Sequence, residues 1–209
     1  MFLIPPTQAP DEGTHFLNAY AFSRGDFFPE YEARTYTGRI FPKDIISYVE
    51  VWGADEDGRA SIEEVMRYPG PQKINESDEK FYLYWASETN MVGYIFSGTG
   101  MWLCKLIFGM IGIPVSGYDL LIAGRLCNLL FYGIIVYFAI KITPCYKRTM
   151  LALALMPMSI FQSATLSYDA ILIPSCFLLF ALILQGLYSE EKITSRKLLL
   201  MCDKEVIEV

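Results

Sequence analysis

Polar and apolar residues divide the chain into two parts of different character. Residues 5–93 are polar and acidic, whereas residues 94–188 carry few charges. Three apolar runs lie in the second part, at residues 120–140, 150–166 and 170–188. Each run approaches the length of about 20 residues with which an α-helix crosses a bilayer. The pattern predicts an all-α integral membrane protein with about three transmembrane helices.

A fourth apolar run, at residues 95–113, is interrupted by Lys105 and by several glycines. Short loops rich in Lys and Arg stay in the cytoplasm, so the basic residues decide whether this run crosses. The basic residues beside the later runs are Lys141, Lys147, Arg148, Lys192, Arg196 and Lys197. Both basic segments are cytoplasmic only if the run at 120–140 enters from outside. We therefore expect 95–113 to be an interfacial helix on the outer surface, with Lys105 extended towards the headgroups.

This topology divides the protein into three regions. They are an external loop region at 1–93, a membrane region at 94–188 and a cytoplasmic tail at 189–209. Within the external region, short helices are predicted at 61–66 and 78–85. The chain is then a multi-pass protein of the cell membrane with an extracytoplasmic N-terminal region.

Charge and cysteine usage exclude several classes of protein. The net charge is −6 at pH 7, and residues 5–93 hold 16 acidic against 8 basic residues, which argues against a nucleic-acid partner. The five cysteines show no CxxC spacing, and most lie in or beside apolar runs, where cysteine acts as a small hydrophobe. We therefore expect neither a disulfide-stapled domain nor a cysteine-ligated zinc site.

Five residues carry candidate chemistry: Asp11, Glu12, His15, Arg125 and Asp169. The adjacent carboxylates repel each other, and desolvation near a bilayer raises their free energy further, so packing alone does not account for them. The predicted topology brings charges from three separate segments to the external face. Such convergence is typical of an active site.

Each of these residues also has a structural interpretation. Asp11 and Asp169 are each placed to cap a helix, and Glu12 is placed in a first turn, where the helix dipole favours an acid. Arg125 has Asp119 nearby in sequence, or can anchor at lipid headgroups, and His15 is equally suited to a structural role. These alternatives stay open at the level of the sequence.

Several short motifs resemble the "domain of unknown function 2142" family of predicted multi-pass membrane proteins. They are PPTQAPDE at 5–12, HF at 15–16, GRIFPK at 38–43, GRLCN at 124–128, AIK at 139–141, LMPM at 155–158 and QSATLSYDA at 162–170. The resemblance extends from about residue 5 to residue 188. The order of the motifs along the chain makes it fairly specific.

That family is similar in layout to the C-type glycosyltransferases, so the resemblance implies a partial C-type glycosyltransferase-like fold. It also implies a membrane glycosyltransferase that moves a sugar from a polyprenyl-phosphate donor to a cell-surface glycan. The expected partners are membrane lipid, a lipid-linked sugar donor and a glycan acceptor.

Roles for the five residues follow from the needs of this reaction. Asp11 is the candidate base, while Glu12 raises its pKa or helps to hold a possible divalent cation. His15 orients Asp11 or contacts phosphate. Arg125 binds phosphate oxygens, and Asp169 is a second metal ligand or positions the acceptor.

Other functions compete with this enzymatic one. The chain is also consistent with a non-enzymatic scaffold or transport component for lipid-linked glycans. The middles of the three predicted spans hold no acid or base, which counts against transport. Only a few residues precede Asp11, where the family has a spanning helix, so the sequence also suggests a fragment, active or not.

Overall fold

The computed structural model of the chain describes Pro6 and residues 9–32, 36–53 and 74–188. This part contains seven α-helices: α1 (Glu12–Arg24), α2 (Lys43–Gly53), α3 (Ile95–Ile111), α4 (Gly117–Ile142), α5 (Lys147–Ala154), α6 (Pro157–Ser163) and α7 (Asp169–Tyr188). It also contains three strands: β1 (Glu30–Glu32), β2 (Tyr36–Pro42) and β3 (Glu79–Leu83). The predominantly helical class is confirmed, with one small sheet in addition. The predicted helix at 61–66 and the tail at 189–209 lie outside the described residues.

Helix α1 is the core of the N-terminal region. Apolar and aromatic side chains from Phe16 to Ala21 are almost completely buried on all sides of this helix. Such all-round burial is typical of a helix enclosed by other elements, here α2, the sheet and α3. Gly25 ends α1 in the left-handed conformation, with a φ of 83°, and its N–H bonds back to the last turn.

The sheet is antiparallel in the order β1-β2-β3, and its third strand replaces the helix that was predicted at 78–85. That prediction was wrong because the aromatic residues Phe81 and Tyr82 favour a strand and pair with β2. Gly38 of β2 is required here, since a Cβ at this position would lie 2.4 Å from the Tyr82 carbonyl oxygen.

Three helical segments of the described residues are long and apolar enough to cross a membrane: Met91–Ile111, Gly117–Ile142 and Asp169–Tyr188. The second and third confirm the helices predicted at 120–140 and 170–188. The first contains the run at 95–113, which forms the helix α3. The packing of α3 along α4 disagrees with the expectation that this run is an interfacial helix along the outer surface. Helix α3 runs antiparallel to the first half of α4, with Phe96 stacked on Phe131 and the Cys104 thiol close to the Asp119 carbonyl.

Lys105 does not extend from α3 towards lipid, which corrects the expectation from sequence. Its ammonium lies 3.9 Å from the centre of the Tyr20 ring and 3.7 Å from the Glu76 carboxylate. The N-terminal region therefore covers this charge through a cation–π contact and an ion pair.

The run at 150–166 is not one helix, contrary to the prediction. Helix α5 ends at Ala154, Met156 is extended, and α6 begins at Pro157. Proline is well placed at the first position of a helix but forces the preceding residue out of helical conformation. Two carbonyl groups opened by this break are satisfied, because Tyr132 donates its hydroxyl to the Ala154 oxygen at 2.7 Å and Ser159 donates to Leu153 at 3.1 Å.

The second half of α4 packs against α5 and α7. Tyr132 and Val136 lie with Ile173 and Phe177, and Ala139 lies further along with Ala181. Residues later in α4 contact residues later in α7, so the two helices run parallel. The broken α5–α6 segment therefore leads the chain back from the end of α4 to the start of α7.

Candidate functional site

Arg125 of α4 forms a buried ion pair with Glu12 of α1. Its Nε donates to Glu12 Oε1 at 2.8 Å and its Nη2 donates to Oε2 at 2.5 Å, with exposures of 1% and 0% for the two side chains. Glu12 Oε1 also accepts the Leu166 backbone N–H at 3.1 Å. One carboxylate thus joins α1, α4 and the loop between α6 and α7.

This pair changes the roles predicted for both residues. The bidentate fork of Arg125 faces Glu12 and not a phosphate site or the lipid surface. Asp119 is separately engaged, in a capping box with Ser116 at the start of α4. Asn128, one turn after Arg125, donates to the Thr165 carbonyl at 2.9 Å and holds the same loop. The Glu12–Arg125 pair is therefore an internal support for the residues around it.

Asp11 precedes this pair and has unusual backbone geometry. Its φ is 54°, a left-handed conformation that non-glycine residues rarely adopt. Among the described residues, its exposed side chain accepts no hydrogen bond that caps α1. The structural interpretation of Asp11 as a side-chain cap is therefore wrong, and the carboxylate faces outwards.

His15 lies one turn into α1 and is nearly buried. Its Nδ1 is 2.9 Å from the Tyr94 hydroxyl oxygen, and its ring meets the Tyr168 ring edge-on at 4.8 Å between centroids. Gly93 leaves the space that the Tyr168 ring occupies, because a Cβ at this position would lie 2.4 Å from that ring. Aromatic side chains thus fix the orientation of the imidazole.

Asp169 is the first residue of α7 and is half-buried. Gln162 donates its amide N–H to Asp169 Oδ2 at 2.7 Å, and the Asp169 backbone N–H donates to Ser167 at 3.1 Å. Asp11, His15 and Asp169 together are called the acidic edge below. They come from the starts of α1 and α7, two helices that the Glu12–Arg125 pair and the Leu166 contact hold together.

The acidic edge acts electrostatically on its histidine. Burial lowers the pKa of His15 below its ordinary value of 6.5, although the charges of Asp11, Glu12 and Asp169 act in the opposite direction. The imidazole is therefore neutral at neutral pH. Asp11, Glu12 and Asp169 therefore all lie close enough to the His15 ring to affect its pKa.

Three uncharged residues behind His15 were not predicted from sequence. Asn18 donates its amide N–H groups to the Ala86 carbonyl at 3.0 Å and to the Tyr94 hydroxyl at 3.2 Å. Tyr84 donates its hydroxyl to Asn18 Oδ1 at 2.6 Å. Only the spacing of Asn18, three residues after His15 on one helical face, offered a signal in the sequence.

A family model described as "Predicted membrane protein (DUF2142)" matches residues 1–202. The chain belongs to the DUF2142 family. Comparison with curated proteins and with solved structures gave no match. In this DUF2142 protein, the motifs that carry the resemblance at 5–12, 15–16, 124–128 and 162–170 meet in the network just described.

A further motif of the DUF2142 protein, at 38–43, forms a separate cluster. Buried Arg39 donates through Nη1 to the carbonyl groups of Asp26 at 2.5 Å and Phe28 at 2.9 Å. Its Nη2 donates to the Ser87 carbonyl at 3.1 Å. Arg39 thus fixes the loop after α1 to the loop after β3, and so supports the segment that carries Tyr84 and Ala86.

Metal binding has limited support within the described residues of the DUF2142 protein. They contain no group of three or more His, Cys, Asp or Glu side chains placed to hold a metal ion. The Glu12 oxygens, predicted as possible cation ligands, already accept three N–H groups.

Proposed function

We propose that this protein acts as a membrane glycosyltransferase that uses a polyprenyl-phosphate sugar as donor and a cell-surface glycan as acceptor. The observation that carries the proposal is the exposed carboxylate of Asp11 at the acidic edge, on a backbone held in a left-handed conformation. Strained backbone geometry is concentrated at functional sites, where the surrounding structure maintains it. Here the Glu12–Arg125 pair, one residue further on, supplies that support.

The reaction requires one proton acceptor and one departing phosphate. Asp11 takes the proton from an acceptor hydroxyl as that oxygen attacks the anomeric carbon of the donor sugar. The bond between this carbon and the phosphate oxygen breaks, and polyprenyl phosphate leaves with its electron pair. The half-buried carboxylate of Asp169 accepts a hydrogen bond from a second acceptor hydroxyl and so positions the acceptor.

Glu12 and Arg125 contribute to this reaction indirectly. They hold the start of α1 against α4 and the α6–α7 loop, and therefore set the position of Asp11 relative to Asp169. Preorganised geometry of this kind lowers the barrier without contact between the supporting residues and the substrate.

We infer further that the N-terminal region lies on the outer surface of the cell membrane. The N-terminal region contacts α3 at its start through Tyr94 and along its length through Lys105. Beyond the end of α3, the Val115 carbonyl accepts the Ile74 N–H at 3.2 Å. A region with this many charges is not stable in hydrocarbon, so the N-terminal region lies outside the membrane and packs against the start and middle of α3.

The opposite face of α3 is suited to contact with lipid. Trp102, Leu106 and Met110 follow one another at four-residue intervals, and all three are exposed. Such an apolar face agrees with a helix that packs antiparallel to the membrane-crossing α4. Helices α4 and α7, with the broken segment between them, then cross the membrane.

Transfer is tested with membranes that contain the chain and a panel of radiolabelled polyprenyl-phosphate hexoses. We expect label to enter the glycan fraction with the unaltered chain, and Asp11→Asn to abolish transfer because an amide does not accept the proton. Asp11→Asn is expected to fold, since Asn tolerates a positive φ and no cap is lost among the described residues. The matched control is Glu30→Gln, which alters an exposed carboxylate on β1 and should leave transfer unchanged.

Full transfer by Asp11→Asn contradicts the assignment of the base. Binding of the labelled donor by the unaltered chain without any transfer contradicts the enzymatic function and favours a scaffold for lipid-linked glycans.

A further inference from the structure

A continuous chain of hydrogen bonds leads through the N-terminal region to the only histidine of the protein. Tyr84 donates to Asn18, Asn18 donates to Tyr94, and the Tyr94 oxygen lies 2.9 Å from His15 Nδ1. All four side chains are buried. The bonds link the loop after β3 and the 3₁₀ turn Met91–Tyr94 to α1.

One backbone carbonyl group, that of Ala86, sets the direction in which these hydrogen bonds donate. A carbonyl oxygen only accepts hydrogen bonds, so the contact of Asn18 with the Ala86 carbonyl identifies the amide nitrogen of Asn18. The amide oxygen of Asn18 then faces Tyr84. Burial raises the pKa of Tyr84 to about 12, so Tyr84 keeps its proton and donates it to this oxygen. The second N–H of Asn18 points to Tyr94, so the Tyr94 oxygen accepts there and retains its own proton. Two acceptors lie beside that proton, His15 Nδ1 at 2.9 Å and the Tyr168 hydroxyl, and we assign it to Nδ1 on the basis of this distance.

We propose that Tyr94 is a positioning residue that donates to His15 Nδ1 and thereby holds the imidazole neutral, with its one proton on Nε2. The histidine is then a directed N–H donor at the acidic edge. A chain of donors that all point the same way polarises each bond and strengthens the preference for one tautomer.

The groups around the ring agree with this assignment. Asp11, Glu12 and Asp169 are the acids that act on His15, and Tyr168 packs against the ring edge-on. Glu12 is already occupied by Arg125 and Leu166. The Nε2 proton is therefore free for Asp11, for Asp169 or for an oxygen of a bound sugar. Its use in transfer rests on the proposed function, whereas the tautomer itself does not.

The test uses the full chain, labelled with ¹⁵N-histidine and placed in lipid nanodiscs at pH 7.5. Because His15 is the only histidine, the spectrum contains just two ring-nitrogen signals from the protein. We expect a protonated Nε2 and an unprotonated Nδ1. Tyr94→Phe keeps the aromatic ring but removes the donor, so both tautomers should then appear. Tyr82→Phe, the matched control, removes a hydroxyl from a ring that stacks on Tyr84 but takes no part in this series of hydrogen bonds, and should leave the spectrum unchanged.

A protonated Nδ1 in the unaltered protein overturns the proposal, as does a Tyr94→Phe spectrum with the original single tautomer. If Tyr94→Phe does not fold, the spectrum of the unaltered protein still shows which ring nitrogen of His15 carries the proton. The outcome is separate from the transfer assay. A protein with the expected tautomer but no transfer contradicts only the proposed function, and an active protein with a protonated Nδ1 contradicts only this assignment.

Discussion

Glu12 and Arg125 are 113 residues apart in the chain, yet their side chains form a bidentate ion pair that is closed to solvent. Removal of one partner from such a pair leaves a buried charge without its counter-charge, which destabilises proteins by about 3–5 kcal/mol. We therefore expect Glu12→Gln to lower the free energy of unfolding by several kcal/mol. The measurement is chemical unfolding in detergent micelles, followed by circular dichroism.

The control for this prediction is an exposed ion pair. Lys43 and Asp78 lie 2.7 Å apart with more than half of each side chain exposed. Asp78→Asn should change the free energy of unfolding by no more than about 1 kcal/mol, since exposed pairs contribute little. Equal effects of Glu12→Gln and Asp78→Asn would show that the buried pair does not support the fold.

His15 should make stability depend on pH in a defined direction. Its pKa in the folded protein lies below the ordinary value of 6.5, because burial disfavours the charged form. The unfolded chain then binds the proton more readily. Stability is therefore highest above pH 6.5 and is lost as the pH falls from 6.5 through the lowered pKa.

Melting temperatures between pH 5 and pH 8 measure this dependence. His15→Gln removes the titrating group, so its melting temperature should fall less over the same range. A steeper fall in His15→Gln than in the unaltered protein would contradict the lowered pKa.

Two glycines of α3 should respond in opposite ways to alanine. A Cβ at Gly100 would lie 2.6 Å from the Ala123 carbonyl oxygen, so Gly100→Ala forces α3 away from α4. Overpacking of this kind destabilises by about 1–3 kcal/mol. At Gly109 no heavy atom of the described residues lies within 4 Å, and Gly109→Ala should stabilise the helix by about 0.5–1 kcal/mol. Thermal unfolding of both variants in one detergent checks the signs, and stabilisation by Gly100→Ala would contradict the close packing.

Cys145 should be cytoplasmic, because it lies between α4 and α5 beside Lys141, Lys147 and Arg148. The other cysteines are replaced by alanine, and intact cells are treated with an impermeant thiol reagent. We expect Cys145 to react only after permeabilisation. A Ser77→Cys variant, with Cys145 also replaced, tests the exposed N-terminal region and should react in intact cells. Strong labelling of Cys145 from outside would reverse the orientation.

Hydrophobic runs in the sequence were sufficient to predict α4 and α7, because both helices are long and uniformly apolar. The same signal failed at residues 150–166, since mean hydropathy does not register the extended residue before Pro157. Strand β3 was missed because its five residues form a strand only through their pairing with β2. Local pattern thus predicted the membrane elements better than the N-terminal region.

Charge and topology predicted that Asp11, His15, Arg125 and Asp169 lie at one external face, but not that Arg125 pairs with Glu12. Pairing of residues more than a hundred positions apart depends on the packing of α1 against α4, which has no periodic signature. Tyr84 and Tyr94 were missed for a different reason. They are uncharged and lie on irregular segments, so only the folded structure shows that they face His15.

Helix α4 is about 39 Å long, given a rise of 1.5 Å for each of its 26 residues. Its first half packs on α3 and holds Glu12, and its second half packs on α7. The helix therefore connects the acidic edge to the part of the protein that lies in the bilayer. Membrane helices tilt to match the thickness of the surrounding lipid, and a tilt of α4 is transmitted through Arg125 to the start of α1. The segment that carries Asp11 is thereby tied to a helix that continues into the membrane region.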